Sequence, residues 1–295
     1  MARFIYLKLG PGNFLAEYWL GEENVKGRPC AAIYFGPITA DECVNKYRHY
    51  IRTGRYEERD DKQIITFVSA WEEREQRQTY FITFGEGVVY FYEPVGPIED
   101  LNKEELDNYK ERFKHVKRMK GYMPPESPPK VMPVKIDRKI PIIDVPHVLA
   151  TFQGVQKYNR KTCVEIREWE ILQAALYCLG RYNEMKRPEN PEELLSLLSP
   201  YELETLVAHI LSEAGCFVPA WRGGTLKGID IIAYNLKAEP VRLGPVMVPP
   251  KEDDKPGART FQVKKKWSRA APKNVDYLIT VKCEKNSARS EDVLT

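Results

Sequence analysis

Histidine is scarce in this chain, and its four copies are scattered. None stands at zinc-ligand spacing, and the six cysteines (Cys30, Cys43, Cys163, Cys178, Cys216 and Cys283) include no Cys-x-x-Cys pair. That pattern argues against a structural zinc site and against a disulfide framework. The expectation is reduced, buried thiols in a cytoplasmic protein. Excess charge is also small: 45 Lys and Arg oppose 42 Asp and Glu, a net charge of +3. No global field of one sign announces a polyanionic partner, so local patches must carry any such argument. No apolar run reaches transmembrane length, and neither a secretory n-region nor a transit pattern is visible, so no membrane association is expected. What is plentiful is core material. Hydrophobic residues make up 43% of the 295 and aromatics 11%, which predicts globular protein with two domains as the prior.

The N-terminal half alternates short strands with small helices. Residues 2–9 read as a strand, Gly10-Pro11-Gly12 as a turn, and Asn13 as a cap for a helix holding Phe14, Leu15, Tyr18 and Trp19. A strand from Ala31 to Phe35 precedes a helix over about 41–53. Residues 60–71 fit a helix as well as a strand. Thr79–Phe84 and Val88–Tyr92 form two strands joined by Gly85-Glu86-Gly87, a short glycine-bearing hairpin loop. Residues 103–114 read as a charged helical or loop insertion; His115–Met119 and Val131–Arg138 are further strand candidates. Cys163 to Glu184 has helical spacing, and Glu192 to Leu198 is a short helix.

The last third holds the most specific pattern. Ser199 is an N-cap, Pro200 suits the first helical position, and Glu202 completes a capping box. Leu203, Leu206, Val207, Ile210, Leu211 and Ala214 form the apolar face of the helix, which Gly215 ends in a left-handed conformation. Cys216–Trp221 reads as a short strand. Ile229-Asp230-Ile231-Ile232-Ala233-Tyr234 then buries an acid in an apolar run, which is costly without a cation or metal partner. In Thr260-Phe261-Gln262-Val263-Lys264, alternation puts Gln262 and Lys264 on one face. A helix glutamate, a strand aspartate and Gln-x-Lys offer oxygen donors that suit a hard cation such as magnesium, with a lysine to orient or deprotonate water. Residues 235–259, rich in proline and charge, read as a mobile loop between the two strands.

Tyr201-Glu202-Leu203-Glu204-Thr205-Leu206-Val207, Gly228-Ile229-Asp230-Ile231-Ile232-Ala233 and Gln262-Val263-Lys264, in that order, resemble the Mrr-like restriction endonucleases of the PD-(D/E)XK nuclease superfamily. The resemblance implies that Asp230 holds the metal, that Gln262 stands where many relatives carry an acid, that Lys264 is the motif lysine and that Glu204 is the helix glutamate. Leu226 and Lys227 stand where Mrr-like proteins often have Asp-Gly. More diffusely, Tyr6-Leu7-Lys8-Leu9-Gly10-Pro11-Gly12, Leu15-Ala16-Glu17 and the strand ending at Phe35-Gly36 resemble PUA-like modules of the EVE or YTH type.

These resemblances imply an α/β and α+β chain. Residues 1–157 would form a PUA-like small β-barrel with helices that reads DNA or a modified base. Residues 158–190 would be a helical connector, and 191–295 a nuclease domain with a central mixed sheet. The expected activity is that of a Mg²⁺-dependent (or Mn²⁺-dependent) deoxyribonuclease of the restriction type, acting on modified double-stranded DNA as a homodimer. Glu204, Asp230, Gln262 and the backbone of Val263 would hold the cation and Lys264 would act on water. Lys265, Lys266, Arg269 and Lys273 are candidates for phosphate contacts. Trp19, Phe35 and Tyr90 are candidates for stacking on an extruded base, with a core role as the alternative for each. Two other readings stay open: a nuclease specific for unmodified sequence or DNA structure, and a non-catalytic nucleic-acid-binding protein with a decayed nuclease domain.

Overall fold

The computed structural model describes residues 2–119, 128–152, 161–221, 228–253, 255–266, 275–282 and 293–294. The chain divides into two compact units, Met1–Lys186 and Arg187–Thr295.

Among the described residues, the first unit is built on a seven-stranded mixed sheet that curls into a half-barrel. Its strands are β1 (Arg3–Leu7), β2 (Cys30–Ile33), β3 (Thr79–Phe84), β4 (Val88–Pro94), β5 (Glu99–Asp100), β6 (Lys130–Pro141) and β7 (Cys163–Glu165). The order is β2-β6-β4-β3-β1-β7, with β5 on β6; β1 and β3 run parallel and the other pairs antiparallel. The 12-residue β6 supplies the curl. Its first residues pair with β2 and β5, the rest pair with β4, and a register shift at Phe91/Tyr92 bends the ladder.

Strands β1 and β3 are buried at every position, because both faces of the sheet are covered. On one face Ile5, Leu7, Phe81, Tyr90 and Tyr92 share a core with Trp19, Phe67, Tyr109 and Phe113. Those partners come from α1 (Ala16–Leu20), α3 (Asp61–Glu72) and α4 (Lys103–Met119), and α2 (Ala40–Thr53) adds Cys43. On the other face Phe4, Tyr6, Tyr80, Ile82, Val89 and Phe91 pack on α5 (His147–Thr151) and α6 (Trp169–Cys178). Period-two alternation therefore carries two apolar sets instead of one.

Several expectations change. Residues 61–72 are helical, which resolves the ambiguous stretch. His115–Met119 is the last part of α4 and not a strand, so the charged stretch is one 17-residue helix. Asn13 does not cap α1: it adopts a positive φ of 61°, and its Oδ1 accepts the Leu9 N–H at 2.9 Å. The segment 158–190 is not a separate helical connector. Within it, β7 pairs with β1 and α6 fills the second core, so its described residues up to 186 belong to the first unit.

The second unit starts with α7 (Pro191–Ser196) and α8 (Pro200–Glu213). The Ser199 hydroxyl accepts the Glu202 N–H at 3.2 Å, and the Glu202 carboxylate accepts the Ser199 N–H at 2.6 Å, a complete capping box. Gly215, at φ 97°, ends α8. The strands β8 (Phe217–Trp221), β9 (Ile231–Asn235), β12 (Gly257–Lys266), β13 (Tyr277–Lys282) and β14 (Val293–Leu294) form a mixed sheet in the order β14-β13-β12-β9-β8. Helix α8 lays Leu203, Ala208 and Leu211 into a core with Ile231, Ala233, Phe261 and Val263.

The stretch 235–259, expected to be a mobile loop, holds the antiparallel hairpin of β10 (Val241–Leu243) and β11 (Val246–Val248). Val241, Val246 and Val248 enter the same core. Fully buried Asn235 anchors the hairpin, its amide donating to Glu239 O at 2.7 Å. The Tyr277 hydroxyl accepts the Met247 N–H at 3.1 Å.

Candidate metal centre

Strand β12 lies in the middle of the second unit's sheet, antiparallel to β9 and parallel to β13. Phe261 pairs with Ile231, so Asp230, one residue earlier, falls beside the stretch Phe261–Val263. Two hydrogen bonds hold it there. Its N–H donates to Phe261 O at 2.9 Å, and its Oδ2 accepts the Val263 N–H at 2.8 Å. The carboxylate thus replaces a backbone carbonyl as the ladder acceptor, in a bond strengthened by its charge. Among the described residues its Oδ1 takes no hydrogen bond. Asp230 itself is half-buried.

Burial along β12 alternates, with Phe261 and Val263 in the core and Gln262 and Lys264 half-buried. Gln262 carries the most informative atom. Its Oε1 is buried and, among the described residues, accepts no hydrogen bond. A buried carbonyl oxygen without a partner costs about 1–3 kcal/mol, a cost a folded chain seldom leaves without a reason. Gly228, at φ 86°, passes close to the same amide: a Cβ there would stand 3.7 Å from Gln262 Nε2. The glycine lets the backbone turn past the amide and into Asp230.

Lys264 lies two residues on, opposite Thr280 of β13. Glu204 is on the inward side of α8, 8% exposed, while Glu202 is committed to the cap. Helix α8 packs against β8, β9 and β12. The structure therefore joins Asp230 to Val263 directly, with Gln262 the preceding residue of β12, and places Glu204 on the buried side of the helix that packs on these strands. Lys265 and Lys266 continue β12 as backbone; Arg269, Lys273, Leu226 and Lys227 lie outside the described residues. Among the described residues no three His, Cys, Asp or Glu side chains gather as metal ligands.

Two of the three aromatics considered for base stacking are core residues. Trp19 is fully buried, stacks on Tyr109 with centroids 5.6 Å apart, and donates its indole N–H to the Tyr34 hydroxyl at 2.6 Å. Tyr90 is buried under Lys139, whose Nζ is 5.2 Å from the ring centroid. Phe35 is half-buried after β2. No family model, no curated protein and no solved structure matches this chain.

Asp230, Gln262 and Val263 could hold a small hard cation. The Asp230 carboxylate and the buried Gln262 amide oxygen are oxygen donors of the kind magnesium takes, and the Val263 carbonyl would be a third. Sequence reasoning missed the Thr260–Asp276 clamp, in which Asp276 Oδ2 accepts the Thr260 N–H at 2.7 Å and its hydroxyl at 2.8 Å. It fastens the start of β13 to β12 beside the site. No local signal reveals it, because the partners are 16 residues apart.

Proposed function

We propose that this protein is a magnesium-dependent DNA endonuclease of the restriction type, with its second unit a PD-(D/E)XK nuclease fold and its first a PUA-like reader of modified DNA. The observation that carries this reading is the buried Gln262 amide oxygen without a partner beside an Asp230 carboxylate pinned to the Val263 N–H. Asp230, Gln262 and the Val263 carbonyl would hold the cation, with Glu204 contributing from α8. When bound, the cation stabilises the negative charge that builds on a scissile phosphate. The pairing of Asp230 with β12 fixes its carboxylate before any substrate arrives. Lys264 Nζ would donate to the attacking water and orient it, and Lys265 and Lys266 would contact the duplex backbone. One site per chain cuts one strand, so cleavage of both strands calls for two chains on the DNA.

The test is cleavage of methylated, hydroxymethylated and unmodified plasmids with Mg²⁺, by the parent and by Asp230→Ala. Cleavage of modified plasmid that is lost in the variant supports the proposal. Absence of cleavage on all three, or cleavage that Asp230→Ala leaves intact, overturns it. Equal cutting of unmodified plasmid would move the specificity to sequence or DNA structure. One observation favours a second reading, a non-catalytic DNA binder. Gln262 supplies a neutral oxygen where an acid would add a charge, and metal-independent DNA binding without cutting would decide for it.

A further inference from the structure

The first unit holds a cavity of about 330 Å³ between the end of α2, helix α3 and strand β7. That volume is at the lower end of small-molecule sites. Five cations and two carboxylates line it. The carboxylates are already engaged. Glu73 takes the buried Arg3 guanidinium at 3.4 Å and the Tyr47 hydroxyl at 3.3 Å. Glu165 is shared by three guanidinium groups, those of Arg3 at 3.6 Å, Arg77 at 3.9 Å and Arg167 at 3.5 Å. Among the described residues no carboxylate lies within ion-pair distance of Lys62 or Lys161. The excess of positive charge therefore belongs to the cavity and is not consumed by internal pairing.

The wall is assembled, not incidental. Gln63 Oε1 accepts the N–H groups of Thr162 at 2.7 Å and Cys163 at 3.2 Å, which ties the backbone next to Lys161 onto α3. Ser69 accepts from Arg3 at 2.8 Å and holds that guanidinium at the floor. One wall is aromatic. Tyr50 and Tyr56 stack with centroids 4.7 Å apart and planes 16° from parallel, and Tyr56 is 44% exposed. A guanidinium fork and ammonium groups suit phosphate oxygens, and an exposed tyrosine pair suits a planar ring. An acidic peptide would answer the charge and leave the aromatic wall unused.

We propose that this cavity binds a nucleotide, its phosphate on Lys62, Arg77, Lys161 and Arg167 and its base against the Tyr50–Tyr56 pair. The site is independent of the metal centre and stands whether or not the second unit cleaves DNA. The ligand is either a free mononucleotide or a nucleotide within a strand, which share this chemistry.

The test uses the full chain carrying Asp230→Ala, in EDTA, so that the metal centre contributes nothing. Titration calorimetry compares the four 5′-deoxynucleoside monophosphates, the matching nucleosides, inorganic phosphate, hexaglutamate and a 5′-phosphorylated pentanucleotide. At least one monophosphate is expected to bind about tenfold tighter than its nucleoside or inorganic phosphate, as a phosphate and a ring acting together require. Lys62→Glu with Lys161→Glu should weaken it by about tenfold or more, and Tyr56→Ala should weaken the nucleotide but not inorganic phosphate. Both lysines and Tyr56 are exposed, and Lys62→Gln with Lys161→Gln repeats the test should charge reversal unfold the unit. A pentanucleotide that binds tighter than the monophosphates, through the same lysines, places the ligand in a strand; one that binds no tighter makes it a free nucleotide. Binding by no nucleotide, binding unchanged in both lysine double variants, or hexaglutamate matching the best nucleotide would overturn the proposal.

Discussion

Replacing Gln262 by methionine separates what the proposed metal centre costs from what it does. The two side chains have similar length, so packing against Gly228 changes little, while the buried oxygen disappears. Among the described residues that oxygen accepts nothing, and such a group costs about 1–3 kcal/mol when left buried. Methionine should recover roughly 1 kcal/mol of this, the remainder being offset by loss of whatever the amide N–H groups find. For a unit the size of Arg187–Thr295, about 1 kcal/mol is worth roughly 4 °C in melting temperature. Thermal melts in EDTA should therefore show Gln262→Met melting above the parent. In millimolar Mg²⁺ the order should reverse, because the parent alone gains about 2.7 kcal/mol when the cation stands at a hundred times its dissociation constant. A variant that melts below the parent in EDTA and responds to Mg²⁺ as the parent does would refute the assignment of Oε1 as a cation ligand.

Three further outcomes are expected. Asp230→Asn keeps an acceptor for the Val263 N–H, whereas Asp230→Ala leaves that buried donor without one, so in EDTA Ala should cost about 1–3 kcal/mol and Asn less; both should lose the Mg²⁺ response, and urea melts of the pair check it. At Gly257 a Cβ would stand 2.0 Å from Pro249 O, so Gly257→Ala must push the hairpin off the start of β12 and should lower stability by about 2 kcal/mol or more; an unchanged melting temperature would contradict that packing. Burial pushes the Cys30 and Cys43 thiols from 9.0 up to about 11, so the unfolded chain loses these protons first as pH rises. Stability present below pH 9 should fall between pH 9 and 11, by up to about 1.4 kcal/mol per pH unit for each thiol, and Cys43→Ala should make the urea-melt profile shallower.

The five described cysteines are free, and four of them are buried, as their scattered placement suggests. Among the described residues no helix is long and apolar enough to cross a membrane.

What the sequence by itself determined was whatever closes within a few residues. Ser199, Pro200 and Glu202 set the start of α8, Gly215 set its end, and Gly85-Glu86-Gly87 set the turn between β3 and β4, because caps and tight turns satisfy backbone groups locally. Tertiary structure decided the rest. Strand β7 has three residues and exists only because β1 offers an open edge; its sequence runs on into helical spacing. His115–Met119 looks like a strand and is helical because α4 is already under way and propagation costs less than a new start. The charged stretch after Asn235 is ordered by a buried asparagine and three valines that find the core of the second unit. The proposed metal centre depends on both sources. The residue types were visible in the chain, but Asp230 and Val263 are 33 positions apart. Only the register of β9 on β12 sets that carboxylate against the Val263 N–H, next to the residue whose amide oxygen the fold buries without a partner.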